Sequence, residues 1–230
     1  MSRQGKSAWL GVFFAALYFV APACGQFSHV VSVSQLRNRV PPKAATFLKK
    51  ALASSPKQSS LAELRKSLQD PVLAPFAWKA LGIRHLNDVQ FAEAVSAFAK
   101  AVQLLPWDTE TLGLNSLALY ASGAGEAGES MARRTLVVDR KNSAANLVAG
   151  LRLLDRNPTP GLETLVELST QMHYASAMFP GARLILWHEF RAAGRIREAA
   201  GYMHTFLEDL YRLPPEEQER FCAWILRHRR

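Results

Sequence analysis

Cysteine is nearly absent from this chain. Two occur in 230 residues, Cys24 and Cys222, at almost opposite ends. That excludes a disulfide framework and a cysteine-based metal centre. Acidic residues are also short, 19 against 28 Lys and Arg, for a formal charge of +9. The apolar run Ala8–Ala23 is uncharged throughout, but it is shorter than the roughly 20 residues a spanning helix needs. No Gly-rich phosphate loop follows a strand pattern, no second histidine stands at zincin spacing from His188-Glu189, and no Ser/His/Asp order is supported. What is plentiful is apolar surface, 49% of residues with 10% aromatic. This is a folding chain, long enough to bury a core as one large domain or two small ones.

Positions 1–25 read as a secretory signal. Arg3 and Lys6 supply a cationic start, Ala8–Ala23 an apolar run, and Ala21 and Ala23 a small-residue cleavage frame. A buried helix or an uncleaved membrane anchor are the alternatives. The sequence APAC resembles the end of a bacterial lipoprotein signal, which makes Cys24 a candidate lipidation site. Ala21, where that signal usually has Leu, and Pro22 depart from the pattern. Cys222, among Phe221, Ala223, Trp224 and Ile225, reads as a packed thiol.

Charge is unevenly placed. Residues 26–74 carry eight basic groups (Arg37, Arg39, Lys43, Lys49, Lys50, Lys57, Arg65 and Lys66) against Glu63 and Asp70, a balance of +6. Residues 75–230 carry eighteen against seventeen, for +1. A body this neutral lacks the basic face that nucleic-acid binding requires. The basic segment itself has helical periodicity: Phe47, Leu48, Ala51 and Leu52 share one face, and Leu61, Leu64, Leu68 and Val72 another. Ser60 and Glu63 have capping-box spacing, and Pro71 and Pro75 punctuate the end. Two such short helices need something to pack on.

The stretch AWKALGIRHLNDVQFAEAVSAFAKAVQLLP, 77–106, predicts a helical hairpin. One helix carries Trp78, Leu81, Gly82 and His85, and a turn falls near Asn87-Asp88-Val89. A second helix carries Ala94, Phe98 and Ala101 and stops at Pro106. Gly82 and Ala94 permit close approach, and Trp78 and Phe98 fill the remaining space. Ala101 leaves room for the next helix.

These residues resemble the signature of the tetratricopeptide repeat, W-x2-L-G-x2-Y…A-x3-F…P with a period of 34. Only His85 departs from it, replacing an aromatic. The resemblance is strong over 75–108, moderate over 109–142 and 180–213, and weak over 143–179. In the second unit Gly128 takes the slot of Ala94 and Ala132 that of Phe98; Gly150 takes the slot of Gly82 in the third. Pro160 suits the first turn of that unit's second helix. Residues 214–230, proline and acids first and bases last, read as a capping helix. Residues 26–74 leave room for a further, eroded unit.

The resemblance implies an all-α right-handed superhelix of antiparallel hairpins. It also implies a non-catalytic scaffold that takes a partner protein or peptide in a concave groove. Its lining would be Lys79, Ile83 and Leu86, then Leu117 and Tyr120, then Leu147, Leu151 and Leu154, with Leu117 and Leu151 facing solvent in the free protein. Ile83 stands where the carboxylate-binding version of the family has Asn, so an apolar groove is expected. Gly128-Glu129-Ser130 resembles the Glu-Ser of lytic transglycosylases, but no further motif accompanies it. His204 and Glu208 read as a surface pair. No enzyme activity, metal or cofactor is expected. Two function classes stand: an exported adaptor in the bacterial cell envelope, or a membrane-associated structural subunit. The latter would be held by the basic segment or by a lipid on Cys24, its groove filled by its own N-terminal helices.

Overall fold

A computed structural model describes residues 40–53, 58–157, 159–176, 179, 181–212, 215, 218 and 219. The expected signal at 1–25, Cys24, Cys222 and all but three residues of the expected cap at 214–230 lie outside these residues. Among the described residues the chain is all-helical. Ten helices follow one another: α1 Pro42–Ala53, α2 Gln58–Ser67, α3 Ala74–Asn87, α4 Phe91–Leu104, α5 Thr109–Ala121, α6 Gly125–Val138, α7 Ser143–Arg156, α8 Leu162–Ser176, α9 Gly181–Ala192 and α10 Ile196–Tyr211.

Local chemistry sets three of these ends. α3 begins at Ala74 and admits Pro75 into its first turn, where a missing N–H costs nothing. α4 stops at Leu104, just before Pro106. Asn142 caps α7, its side chain accepting from the Ala145 N–H at 3.1 Å. Two expected ends differ. α2 starts at Gln58, which places Ser60 inside the helix and not at its cap. α8 starts at Leu162, so Pro160 stands ahead of it and serves the loop.

The turns repeat. At the end of α3 the backbone N–H groups of Asp88, Val89 and Gln90 bond the carbonyls of Arg84, Leu86 and His85. One repeat later, Ser122, Gly123 and Ala124 bond Ala118, Tyr120 and Leu119 in the same pattern, and Ala193, Gly194 and Arg195 repeat it after α9. The middle residue of each set has positive φ: 61° at Val89, 93° at Gly123 and 76° at Gly194. The connections between hairpins repeat as well. Leu105 to Ala101, Asp108 to Leu105 and Leu112 to Asp108 recur as Asp139 to Thr135, Asn142 to Asp139 and Asn146 to Asn142, in the same order and at the matching places. Among the turns inside hairpins, the one between α7 and α8 departs from the pattern, with Asn157, Thr159, Pro160 and Gly161 outside helix.

Helices pack in sequence, α3 on α4, α5 on α6, α7 on α8 and α9 on α10, with each hairpin also against the next. Connections this short make paired neighbours antiparallel. α5 packs on α7 as well. Close approach has identifiable causes. A Cβ at Gly82 would lie 2.6 Å from the Phe98 ring, and one at Gly128 would lie 2.8 Å from the Ser116 carbonyl oxygen of α5. One continuous core runs from Ile83 to Ala199 and includes Ala94 and Phe98.

α1 and α2 sit at the other end of α3. Leu64 clusters with Ala80, Leu81 and Ala97, with Phe47, Leu48, Ala51 and Trp78 against them. Ala44 joins Phe76 and Leu105. Trp78 is therefore half-buried under the first helices, and the Lys100 ammonium lies 4.1 Å from its ring centroid. Ala101 is fully buried.

Candidate functional site

The side chains expected to line an open groove are mostly core. Ile83, Leu86, Leu117, Leu147 and Leu151 belong to the same buried cluster, with Tyr120 and Leu154 packed against it; Leu117 is 0% exposed. This corrects the expectation that Leu117 and Leu151 face solvent. The helical angle placed them correctly, on matching faces of successive first helices, but α5 and α7 close on one another over those faces. Asn142 shows how tightly. Its amide donates to the Thr109 carbonyl at 2.9 Å, and its side-chain oxygen occupies the space a Cβ of Gly113 would need. The described apolar side chains of α1 and α2 join clusters with Phe76, Ala80, Leu81 and Leu105, separate from the one that holds Leu117.

Lys79 is also unavailable to a ligand. It is 3% exposed, donates to Asp108 at 2.8 Å and pairs with Glu110. Thr111 donates to the same Asp108 carboxylate at 2.6 Å. The ammonium thus ties α3 to the start of α5. Burial disfavours its charge, yet the two carboxylates outweigh this and raise its pKa. Burial pushes the Glu110 carboxyl up despite Lys79. Both acids belong to the next hairpin along the chain, beyond α4, so no local spacing signals the group.

A second polar group surrounds Glu129. This buried carboxylate of α6 accepts from Arg133 at 2.6 Å, from Arg152 of α7 at 3.3 Å, and pairs with Arg156 of α7. Arg152 also reaches Asp155 at 3.2 Å. Burial alone would raise the Glu129 pKa. Hydrogen bonds from Arg133 and Arg152 and the charges of Arg133 and Arg156 hold it below the usual carboxylate range. A carboxylate held ionised in this way is unsuited to general-acid chemistry, which needs a raised pKa. The pairs Glu129/Arg133 and Arg152/Arg156 are legible at i, i+4 spacing. Their convergence requires the packing of α6 on α7.

The remaining candidates are local contacts. His188 lies 3.2 Å from its neighbour Glu189, and His204 lies 3.5 Å from Glu208 on an exposed face. His85 contacts Gln90 at 2.7 Å in the turn after α3. Among the described residues no group of three or more His, Cys, Asp or Glu could hold a metal, and no helix is long and apolar enough to cross a membrane.

The solvent face carries exposed apolar side chains at repeating places. Leu104 and Val138 close the second helices of consecutive hairpins, at equivalent positions of the repeat. Leu162 and Ile196 open the second helices of the last two, again at equivalent positions. No protein-family profile, curated protein or solved structure matches this chain.

Proposed function

We propose that this chain is an exported, non-catalytic scaffold of tetratricopeptide-like hairpins that holds a partner protein or peptide in the cell envelope. The observation that carries the reading is the recurrence, one repeat apart, of turn hydrogen bonds at 88–90 and 122–124 and of the connections at 105–112 and 139–146. Consecutive units bury a common core, as stacked repeats must. Such stacks present extended surfaces for partners. Because the first-helix leucines are buried, contact in this reading falls on the outer helix faces and repeat edges. Export rests on the charge and apolar pattern of residues 1–25.

The membrane-associated reading keeps one observation in its favour. Lys49, Arg65 and Lys66 are exposed on α1 and α2, while the apolar sides of both helices are used against α3. Contact with an anionic surface would therefore be electrostatic and salt-sensitive, without insertion.

The test is a crosslinking pull-down from the native envelope with the chain starting after Gly25, paired with intact-mass analysis of the native protein. Specific enrichment of one protein supports the scaffold. No enrichment, together with salt-sensitive binding to anionic vesicles, sinks it in favour of the membrane reading. A native chain beginning at Met1 in the cytosol removes export.

A further inference from the structure

The outer face of α6 combines exposed apolar and basic side chains. Ser130, Arg133, Arg134, Val137 and Val138 are all exposed, and their three- and four-residue spacing sets them along one side of the helix. Val137 is 82% and Val138 74% exposed. Valine is a weak helix former, so neither residue is there for the helix. Leu104, in the same position of the preceding repeat as Val138, repeats the apolar exposure at the end of α4.

Basic residues flank these valines along the chain. Arg133 and Arg134 lie on the same side, and exposed Arg140 and Lys141 follow the helix. Arg156 of α7 stands half-exposed beside Glu129. Of the nearby acids, Glu129 accepts three guanidinium groups, Asp155 pairs with Arg152, and Asp139 accepts from Thr109 at 3.2 Å and from the Lys141 N–H at 3.2 Å, while Glu126 is exposed at the far end of the same side. Arg133, Arg134, Arg140, Lys141, Arg152 and Arg156, six cations, stand against four acids, Glu126, Glu129, Asp139 and Asp155, an excess of two positive charges that a further carboxylate would relieve.

We propose that this face of α6 docks an acidic amphipathic helix of a protein partner. Partner carboxylates meet Arg133, Arg134 and Arg156, and an apolar side chain seats on Val137 and Val138. The inference rests on the scaffold reading and names its partner chemistry. A helix fits because the basic and apolar positions run along one helix of similar length, and apolar anchors flanked by complementary charge are how such helices are held.

The test uses the full chain and two labelled helical peptides, one with Glu and Leu on a common face and one with Lys replacing Glu, read by fluorescence anisotropy. The acidic peptide is expected to bind and to weaken as salt rises; the basic peptide is expected not to bind. Arg134→Gln and Val137→Ser should each lower affinity by about tenfold or more with unchanged melting curves. Lys49→Gln combined with Arg65→Gln should leave it unaltered. Equal affinity for both peptides, retained binding in the α6 variants, or preference for anionic vesicles or duplex DNA overturns the proposal. A photo-crosslinker at Val137 separates the two claims. A native partner captured only through other positions overturns this surface and leaves the scaffold standing. Peptide binding at α6 with no native partner supports the surface chemistry and sinks the scaffold.

Discussion

Replacing glycine by alanine at two open positions should move stability in opposite directions. Gly123 sits in the turn after α5 with φ 93°, and a Cβ there would meet nothing within 4 Å. Gly201 lies in α10, exposed, with ordinary backbone and the same empty surroundings. Neither change introduces a clash, so only backbone terms remain. At Gly123 an L-residue must adopt a left-handed conformation, costing about 1–2 kcal/mol. At Gly201 alanine gains about 0.8–1 kcal/mol of helix propensity. For a chain of this length each kcal/mol shifts Tm by about 2–4 °C. Gly123→Ala should therefore melt about 2–8 °C lower and Gly201→Ala about 2–4 °C higher, by circular dichroism at one scan rate. Gly194→Ala, at φ 76° with open surroundings, should match Gly123→Ala, because it occupies the corresponding turn. A shift of the same sign at Gly123 and Gly201, or a neutral Gly194→Ala beside a costly Gly123→Ala, would refute the repeated-turn argument.

Ala101→Glu places a carboxylate at a fully buried site and should cost several kcal/mol, whereas Glu93→Gln on the exposed side of the same helix should stay within about 0.5 kcal/mol. Similar melts for the two would show that α4 faces the other way. Leu117→Ala should cost about 2–5 kcal/mol, since Leu117 is wholly enclosed; a neutral result by urea denaturation would restore an open groove. Glu129→Gln should cost about 1–3 kcal/mol near neutral pH. The Glu129 pKa is lowered in the folded chain from its ordinary 4.5, so its contribution is present above that value and is lost as pH falls through the lower folded one. Wild type and variant should thus converge in acid; a gap that widens as pH drops would contradict the three-arginine environment.

The sequence alone determined the helical hairpins and their period. Trp78, Leu81, Gly82, Ala94, Phe98 and Ala101 are local in spacing, and periodicity fixes the angle at which each leaves its helix. The same angles set Leu117 and Leu151 on matching faces of α5 and α7. What lies opposite those faces is not an angular property. It is the packing of α5 on α7, with Asn142 seated on Gly113, that closes over them and turns the expected groove wall into core. Tertiary contacts also bring Lys79 to Asp108 and Glu110, and the arginines of α6 and α7 onto Glu129. Burial and charge pairing depend on distances between helices far apart in sequence. Those distances are set by how small residues such as Gly82 and Gly128 let the helices approach.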